Sequence, residues 1–288
     1  MRYHRPTTLE HAVSIASAAS GLTRFLAGGT DVLVQMRSGM IVPDDLIDLK
    51  GIAGLRGITP TDEGGWRIGV TVSGADLGSH AGLRRDWPGV VEGMLLVGST
   101  QVQGRATLTG NLCNGSPAAD SVPGLVAAGA RVEITGPIGI REIPVEEIPV
   151  GPGKTSLKTG EIISAITLPP RGENAGDAYL RFIPRTEMDI AVVGCAVSLR
   201  LDGRTIREAR VALGAVAPTV LLVREAANAI VGTTLDDDAL AALAKAAAAA
   251  CRPISDKRGT VEFRTDLAGV LARRTARIAY DRATGVSK

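Results

Sequence analysis

Two glycine-bearing loops concentrate the residues of this sequence that could do chemistry. In the first, Leu26-Ala27-Gly28-Gly29-Thr30-Asp31-Val32-Leu33, an apolar strand runs into two glycines and then a short helix. Such a turn gathers several backbone N–H groups at one point, a concave donor array suited to a phosphate or pyrophosphate. The same residues also make an ordinary tight strand-to-helix turn, and they do not spell the GxGxxG fingerprint of dinucleotide-binding βαβ units. The second loop, 107–120, places Thr107, Thr109, Asn111, Asn114, Ser116 and Asp120 around Gly110 and Gly115. Polar groups every two or three positions serve turns. Over a run of this length they also suit a groove for a polar cofactor.

Elsewhere the chemical vocabulary is thin. Gly151-Pro152-Gly153-Lys154-Thr155 ends like a phosphate-binding GK[ST] loop, but Ile148 stands where the first glycine is required and no helix signal follows. There is no GxSxG, no supportable Ser/His/Asp pattern and no carboxylate pair, so the sequence names no catalytic acid, base or nucleophile. Cys113, Cys195 and Cys251 are too dispersed for a CxxC pair, and His4, His11 and His80 have no metal-ligand spacing. A metal site or iron–sulfur cluster built from this chain alone is therefore not expected. Asp236-Asp237-Asp238 looks like a cation cluster but reads better as negative charge at a helix start.

The elements that must position the loops fall into three stretches. In 1–58, Thr7-Thr8-Leu9-Glu10 has capping-box spacing ahead of a helix carrying Leu9, Ala12, Val13 and Ala16. A strand at 24–27, a helix at 32–37 and a strand at 46–49 complete a small βαβ-like unit. The stretch 59–170 predicts strands at 66–72, 131–135 and 161–168 and a helix at 123–128. Between them, 97–120 holds too many small and polar residues for a packed helix or a central strand. From about Gly176 the texture changes. Runs 191–201 and 205–216 flank Asp202-Gly203, a hairpin signal. An Ala-rich helix ending before Pro253 and a last helix at 265–282 follow.

Composition bounds the partners. With 288 residues, 45% of them hydrophobic and 22% charged, the chain can bury a sizeable core in one large domain or two moderate ones. A net charge of +2, with basic residues dispersed, argues against nucleic acid and anionic membranes, and 3% aromatics argue against a base-stacking platform. No apolar run reaches the roughly 20 residues of a membrane span, and the N-terminal segment reads as mature sequence. A sparse, odd set of cysteines fits a reducing compartment, so the cytoplasm is expected.

Taken together, the two loops resemble those of the FAD-binding medium subunit of molybdenum hydroxylases, the carbon monoxide dehydrogenase and xanthine dehydrogenase family. AGGTDVL resembles the family's first flavin loop, and ATLTGNLCNGSPAADSVP its second, usually written ATIGGNxxxxxPxxD. GEIISAITLP, RTEMDIAVV and PISDKRGTVEFRTDLAGVLARR resemble further family segments in the same order, so the likeness spans essentially the whole chain.

The resemblance implies an α+β fold. Residues 1–175 would form a two-lobed FAD-binding domain of the vanillyl-alcohol-oxidase (PCMH) type, with lobes at about 1–58 and 59–175. Residues 176–288 would form a smaller domain with an antiparallel sheet and flanking helices. FAD would lie extended between the lobes. Ala27, Gly28, Gly29, Thr30, Asp31 and Val32 would serve its pyrophosphate, with Asp31 alternatively bracing the turn. Thr107, Thr109, Gly110 and Asn111 would approach the diphosphate and ribityl chain, with Asn114 nearby and Asp120 at the ribityl hydroxyls. Ile162 or Ile163 would pack near the isoalloxazine, and Arg185 and Ile190 would approach it from the C-terminal domain. Three positions depart from the family pattern: Gln103 replaces an arginine, Thr109 a glycine and Ile190 a tyrosine found in some relatives.

In function, the resemblance implies an electron exit. A large subunit would oxidise substrate at molybdopterin-bound molybdenum, and a small subunit would relay electrons through two [2Fe–2S] clusters. This chain's FAD would pass them to NAD+, a quinone or dioxygen, in a heterotrimer or a dimer of heterotrimers. Two other readings of the same loops are a stand-alone FAD-dependent reductase of the same fold and a non-catalytic nucleotide-binding assembly module.

Overall fold

A computed structural model describes residues 1–185 and 188–285. The first lobe is a three-stranded parallel sheet in the order Arg2–His4, Asp45–Asp48, Thr23–Leu26. The central strand is buried along its whole length, and Ile47 pairs with His4 on one side and Phe25 on the other. Helix Leu9–Ala18 covers the sheet with Ala12, Val13 and Ala16, the apolar positions one turn apart. Its cap falls one residue later than the spacing predicts. Thr8, not Thr7, accepts from the backbone N–H of His11.

The second lobe is a five-stranded antiparallel sheet in the order Ile58–Pro60, Trp66–Gly69, Ile162–Leu168, Arg131–Gly136, Gly139–Pro144. Helices Pro88–Leu95, Leu108–Cys113 and Ser121–Ala128 share one core with it, built from Val90, Met94, Leu112 and Leu125 against Ile68, Val132, Ile134 and Ile166. The 97–120 stretch is not a plain loop. It contains the short helices Thr100–Gln103 and Leu108–Cys113. Thr107 caps the second of these by accepting from Gly110 N–H at 2.9 Å, and the buried pair Leu108 and Leu112, one turn apart, anchors it despite the glycine and asparagine inside. The 66–72 strand stops at Gly69, whose added Cβ would meet the Leu55 carbonyl oxygen at 2.4 Å.

The third unit is a four-stranded antiparallel sheet in the order Ala175–Phe182, Val193–Asp202, Thr205–Gly214, Leu221–Leu222, with helices Asp237–Ala250 and Val261–Ala283. The hairpin turns at Gly203-Arg204, because Asp202 already pairs with Thr205, and Gly203 supplies the left-handed backbone with φ of 59°. Asp236 caps its helix by accepting from Ala239 N–H at 2.9 Å, and Asp237 and Asp238 lie in the first turn, the dipole arrangement expected of that acidic run.

Alternation along this sheet decides how the units join. Cys195, Val197, Val211 and Leu213 face the C-terminal helices, whereas Tyr179, Ala196 and Ala212 belong to the core of the second lobe. The sheet is thus buried on both faces, between helix Val261–Ala283 and helix Ser121–Ala128. Polar contacts lock the junction. Asp177 Oδ2 accepts from Gly89 N–H at 2.8 Å, Glu92 Oε2 from Tyr179 N–H at 2.9 Å, and Arg282 reaches both Glu92 and the Asp177 carbonyl. Among the described residues no helix is long and apolar enough to cross a membrane.

Candidate functional site

Strand Thr23–Leu26 delivers the first glycine loop to the seam between the lobes. Gly28 packs so tightly on the second lobe that an added Cβ would stand 2.0 Å from the Arg105 carbonyl oxygen, and Gly29 adopts φ of 83°. This bends the chain into helix Val32–Arg37. Among the described residues none accepts from the backbone N–H groups of Gly28, Gly29, Thr30, Asp31 or Val32. A run of unclaimed donors at a tight turn is the chemistry of an anion cradle.

The second loop meets the first side by side. Gly74 N–H donates to Ala106 O at 2.8 Å, tying the helical layer to the start of the loop. Asn114 then reaches across the seam. Its Nδ2 donates to Asp31 Oδ1 at 3.4 Å and its Oδ1 accepts from Gln35 Nε2 at 3.2 Å. The Asp31 carboxylate makes no cap on helix Val32–Arg37; its contact is the one across the seam, and burial raises its pKa. Asn111 Oδ1 accepts from Ser121 Oγ at 2.7 Å.

Between the loops lies a cavity of about 500 Å³, within the range of cofactor sites. Ala27, Gly28, Gly29, Thr30, Asp31 and Val32 line it from the first lobe, and Thr107, Thr109, Gly110, Asn111, Asn114, Ile162 and Ile163 from the second. The two isoleucines divide their packing. Ile162 joins the core of the first lobe with Val13 and Ile47, and Ile163 that of the second, so the start of this strand lines the cavity where the two cores meet. Thr109, where the family pattern has glycine, is buried in the wall. Gln103, where the pattern has arginine, is buried and donates to Leu95 O at 2.6 Å.

Three predicted residues do not line the cavity. Asp120 is buried at the start of helix Ser121–Ala128 but makes no cap. Its carboxylate, expected at a ribityl chain, instead accepts from Tyr179 Oη at 2.8 Å and pairs with Arg181 on the C-terminal sheet. Burial raises its pKa against the opposing pull of Arg181. Arg185 and Ile190, expected near the ring, lie outside the wall. Arg185 is an exposed partner of Asp189 at 3.1 Å, and Ile190 is itself exposed. Thr186 and Glu187 of the same RTEMDIAVV segment lie outside the described residues.

The cavity also recruits residues that the sequence reading passed over. Arg24 and Phe25 come from the strand before the glycines, and Gln35 stands one turn beyond Asp31. A third loop, Lys158-Thr159-Gly160-Glu161, forms one wall. It is pinned by Glu161, which accepts two bonds of 2.8 Å from Arg141 and one from Lys158 N–H, and Arg141 holds its carboxyl below the usual range. Lys158 is exposed at this wall, and its backbone N–H is the group that Glu161 holds. Thr155 lies in the wall at the end of a small hairpin, Pro149–Gly151 with Lys154–Thr155, so the GK[ST] look-alike is no phosphate loop with a helix behind it. The hairpin props the second loop, Gly153 N–H donating to Gly115 O at 3.0 Å. Cys113 also lines the cavity, with burial pushing its thiol up to about 12, so it stays protonated at neutral pH.

Unclaimed donors from one lobe, an amide-bearing loop from the other and the cations Arg24 and Lys158 suit a ligand that carries an anionic group, as does the FAD implied by the resemblance. The sequence model described as the FAD binding domain in molybdopterin dehydrogenase matches residues 1–171, and that of the CO dehydrogenase flavoprotein C-terminal domain matches residues 178–279. The chain belongs to the FAD-binding subunits of the carbon monoxide and xanthine dehydrogenase family. It is 33% identical to the putative xanthine dehydrogenase FAD-binding subunit of Escherichia coli K12, over 98% of this chain and 97% of that one. It is 34% identical to the carbon monoxide dehydrogenase medium chain of Afipia carboxidovorans, over 98% and 97%. The reconstituted CO dehydrogenase structure from Oligotropha carboxidovorans superposes with a TM-score of 0.93 at 33% identity, covering 98% of each chain. As a member of this family of FAD subunits, the chain is part of an oxidoreductase, and its two matched segments correspond to the two-lobed unit and the C-terminal sheet unit.

Proposed function

We propose that this chain is the electron exit of a molybdenum hydroxylase complex. It takes electrons from [2Fe–2S] clusters of a small partner subunit onto FAD and delivers them to an external acceptor: NAD+, a quinone or dioxygen. The observation that carries this reading is the cavity between the two lobes, walled by both glycine loops, in a chain whose family binds FAD. Bound FAD supplies a centre that exchanges electrons with a donor on one side and an acceptor on the other. Everything else falls to the protein.

The N–H groups of Gly28 to Val32, with the Thr30 hydroxyl, hold the diphosphate. Thr107, Thr109, Gly110 and Asn111 flank the linker from the opposite lobe, and Asn114 keeps the lobes at the right separation. Ile162 and Ile163 give the flavin ring an apolar floor that excludes water. Lys158 and Arg24 balance the diphosphate charge at the cavity wall. Thr30, Thr107, Thr109, Asn111, Asn114, Ile162 and Ile163 are neither acids nor bases, which suits a subunit that moves electrons and leaves substrate chemistry elsewhere.

The substrate is oxidised at molybdenum in a large partner subunit. Relatives support this division of labour. Chains about equally similar to this one carry the names of carbon monoxide and xanthine dehydrogenases, and a nicotine 6-hydroxylase medium subunit of Paenarthrobacter nicotinovorans is 29% identical over 96% of this chain and 95% of that one. One flavin scaffold therefore serves different substrates. We place the domain boundary at about 175/176 and the complex, a dimer of heterotrimers, in the cytoplasm.

Gly29→Trp tests the reading. Gly29 has φ of 83° and its added Cβ would lie 2.9 Å from Leu26 Cδ1, so a bulky residue distorts the cradle while leaving the C-terminal domain untouched. The variant complex is expected to assemble with its metal centres and to have lost both FAD and acceptor reduction. Full acceptor reduction by a flavin-free complex overturns the proposal.

A further inference from the structure

Two asparagines stand one turn apart in the second loop, and the hydrogen bonds around each decide which atom of its amide is free. Around Asn114, the Asp31 carboxylate can only accept, so the nearer atom must be the amide nitrogen, and the Gln35 amide nitrogen can only donate, so it meets the oxygen. Each end of the Asn114 amide makes one bond across the lobe seam, so its orientation is set from both sides. Asn111 differs. Its neighbour at 3.4 Å is the backbone N–H of Ser121, a group that can only donate, and the Ser121 hydroxyl lies 2.7 Å from the same atom. That atom is therefore the oxygen. The nitrogen, Nδ2, has no acceptor among the described residues, and Asn111 lines the cavity.

We infer that Ser121 is a positioning residue for the cofactor: by holding Asn111 Oδ1 it turns Nδ2 into the cavity as a fixed donor to an oxygen of the FAD linker. Ser121 touches no ligand itself. It is fully buried at the first turn of helix Ser121–Ala128, where the hydroxyl has no solvent to turn to. Without it, the Asn111 amide loses its strongest anchor and can flip, presenting an acceptor where the diphosphate oxygens can only accept. An oriented donor costs no reorganisation on binding, whereas an amide that must first be ordered does. The residue after Asp120 thus governs a side chain ten positions earlier, on the cavity wall. This inference rests on the FAD reading of the cavity.

The test is a double-mutant cycle on the full-length chain, stripped of flavin and titrated with FAD by flavin fluorescence, with thermal melts of each apoprotein. Ser121→Ala is expected to raise the FAD Kd roughly five- to tenfold, as for loss of one well-aligned hydrogen bond. Asn111→Ala is expected to raise it at least as much. In the Asn111→Ala background, Ser121→Ala should then leave Kd unchanged, which loss of packing alone would not produce. Ser121→Cys, close in volume with a weaker donor, should fall between wild type and Ser121→Ala and covers the case in which the alanine variant does not fold. Equal losses from Ser121→Ala in both backgrounds, or no loss in the wild-type background, overturn the inference. A wild-type chain that binds no FAD refutes the cofactor reading, a result distinguishable from either.

Discussion

Gly28 is where the account of the cavity is most exposed to refutation. An alanine there pays no backbone strain, since its φ is not left-handed. All of its cost is contact with the other lobe. The new Cβ would lie 2.0 Å from the Arg105 carbonyl oxygen, 2.8 Å from its carbonyl carbon and 3.1 Å from Ala106 Cα, all backbone atoms that cannot rotate away. Ordinary carbon contacts begin near 3.5 Å, so the two glycine loops must part by roughly 1 Å or more. Overpacking of this kind costs about 1–3 kcal/mol. Because the loops that part are the two walls of the cavity, most of that cost should reach binding and raise the FAD Kd roughly 5- to 100-fold. The control is Gly39→Ala, with φ of 72° and nothing within 4 Å of its added Cβ. It should cost about 1 kcal/mol of stability through backbone strain and leave FAD affinity alone. FAD titration and thermal melts of both variants decide the matter. Gly28→Ala with wild-type affinity would refute the claim that the loops meet at this glycine to form the site.

Asp120→Ala should destabilise the chain by about 3 kcal/mol in chemical denaturation, because it leaves Arg181, whose side chain is 7% exposed, without its partner at the domain junction. Asp177 should make stability pH-dependent. Burial raises its pKa to about 6 against the pull of Arg171, so between the ordinary value of 3.8 and about 6 the folded chain holds a proton that the unfolded chain releases. Its contribution to stability therefore falls as pH rises through that window and is level above it. The melting-temperature difference between wild type and Asp177→Asn should change between about pH 4 and 6 and stay flat above 7; a difference that changes only above 7 would contradict the assignment.

Local order made the first loop legible. A strand, two glycines and a helix lie within fifteen residues, and the structure puts strand Thr23–Leu26 and helix Val32–Arg37 on either side of the turn. The second loop was harder because its glycines and asparagines argue against helix, whereas Leu108 and Leu112 find a core supplied by residues far along the chain. Helix Pro88–Leu95 carries a local signal, a proline at the first position followed by Val90, Val91 and Met94. The fate of Asp120 was not readable at all. Its partners Tyr179 and Arg181 lie 59 and 61 residues away on a sheet whose register only the folded chain sets. The resemblance supplied what local patterns lacked, namely that the two loops share one cavity. Arg185 and Ile190, which the resemblance sets near the flavin ring, are exposed and are not part of the cavity wall.

The most direct test of the central claim is the content of FAD, iron and molybdenum in the protein purified under native conditions with whatever accompanies it. The account predicts about one FAD, about four irons and about one molybdenum per copy of this chain, with two partner subunits present. FAD without metals or partners would mean an independent flavoenzyme, and an intact metal-containing complex with no flavin would contradict the reading of the two glycine loops.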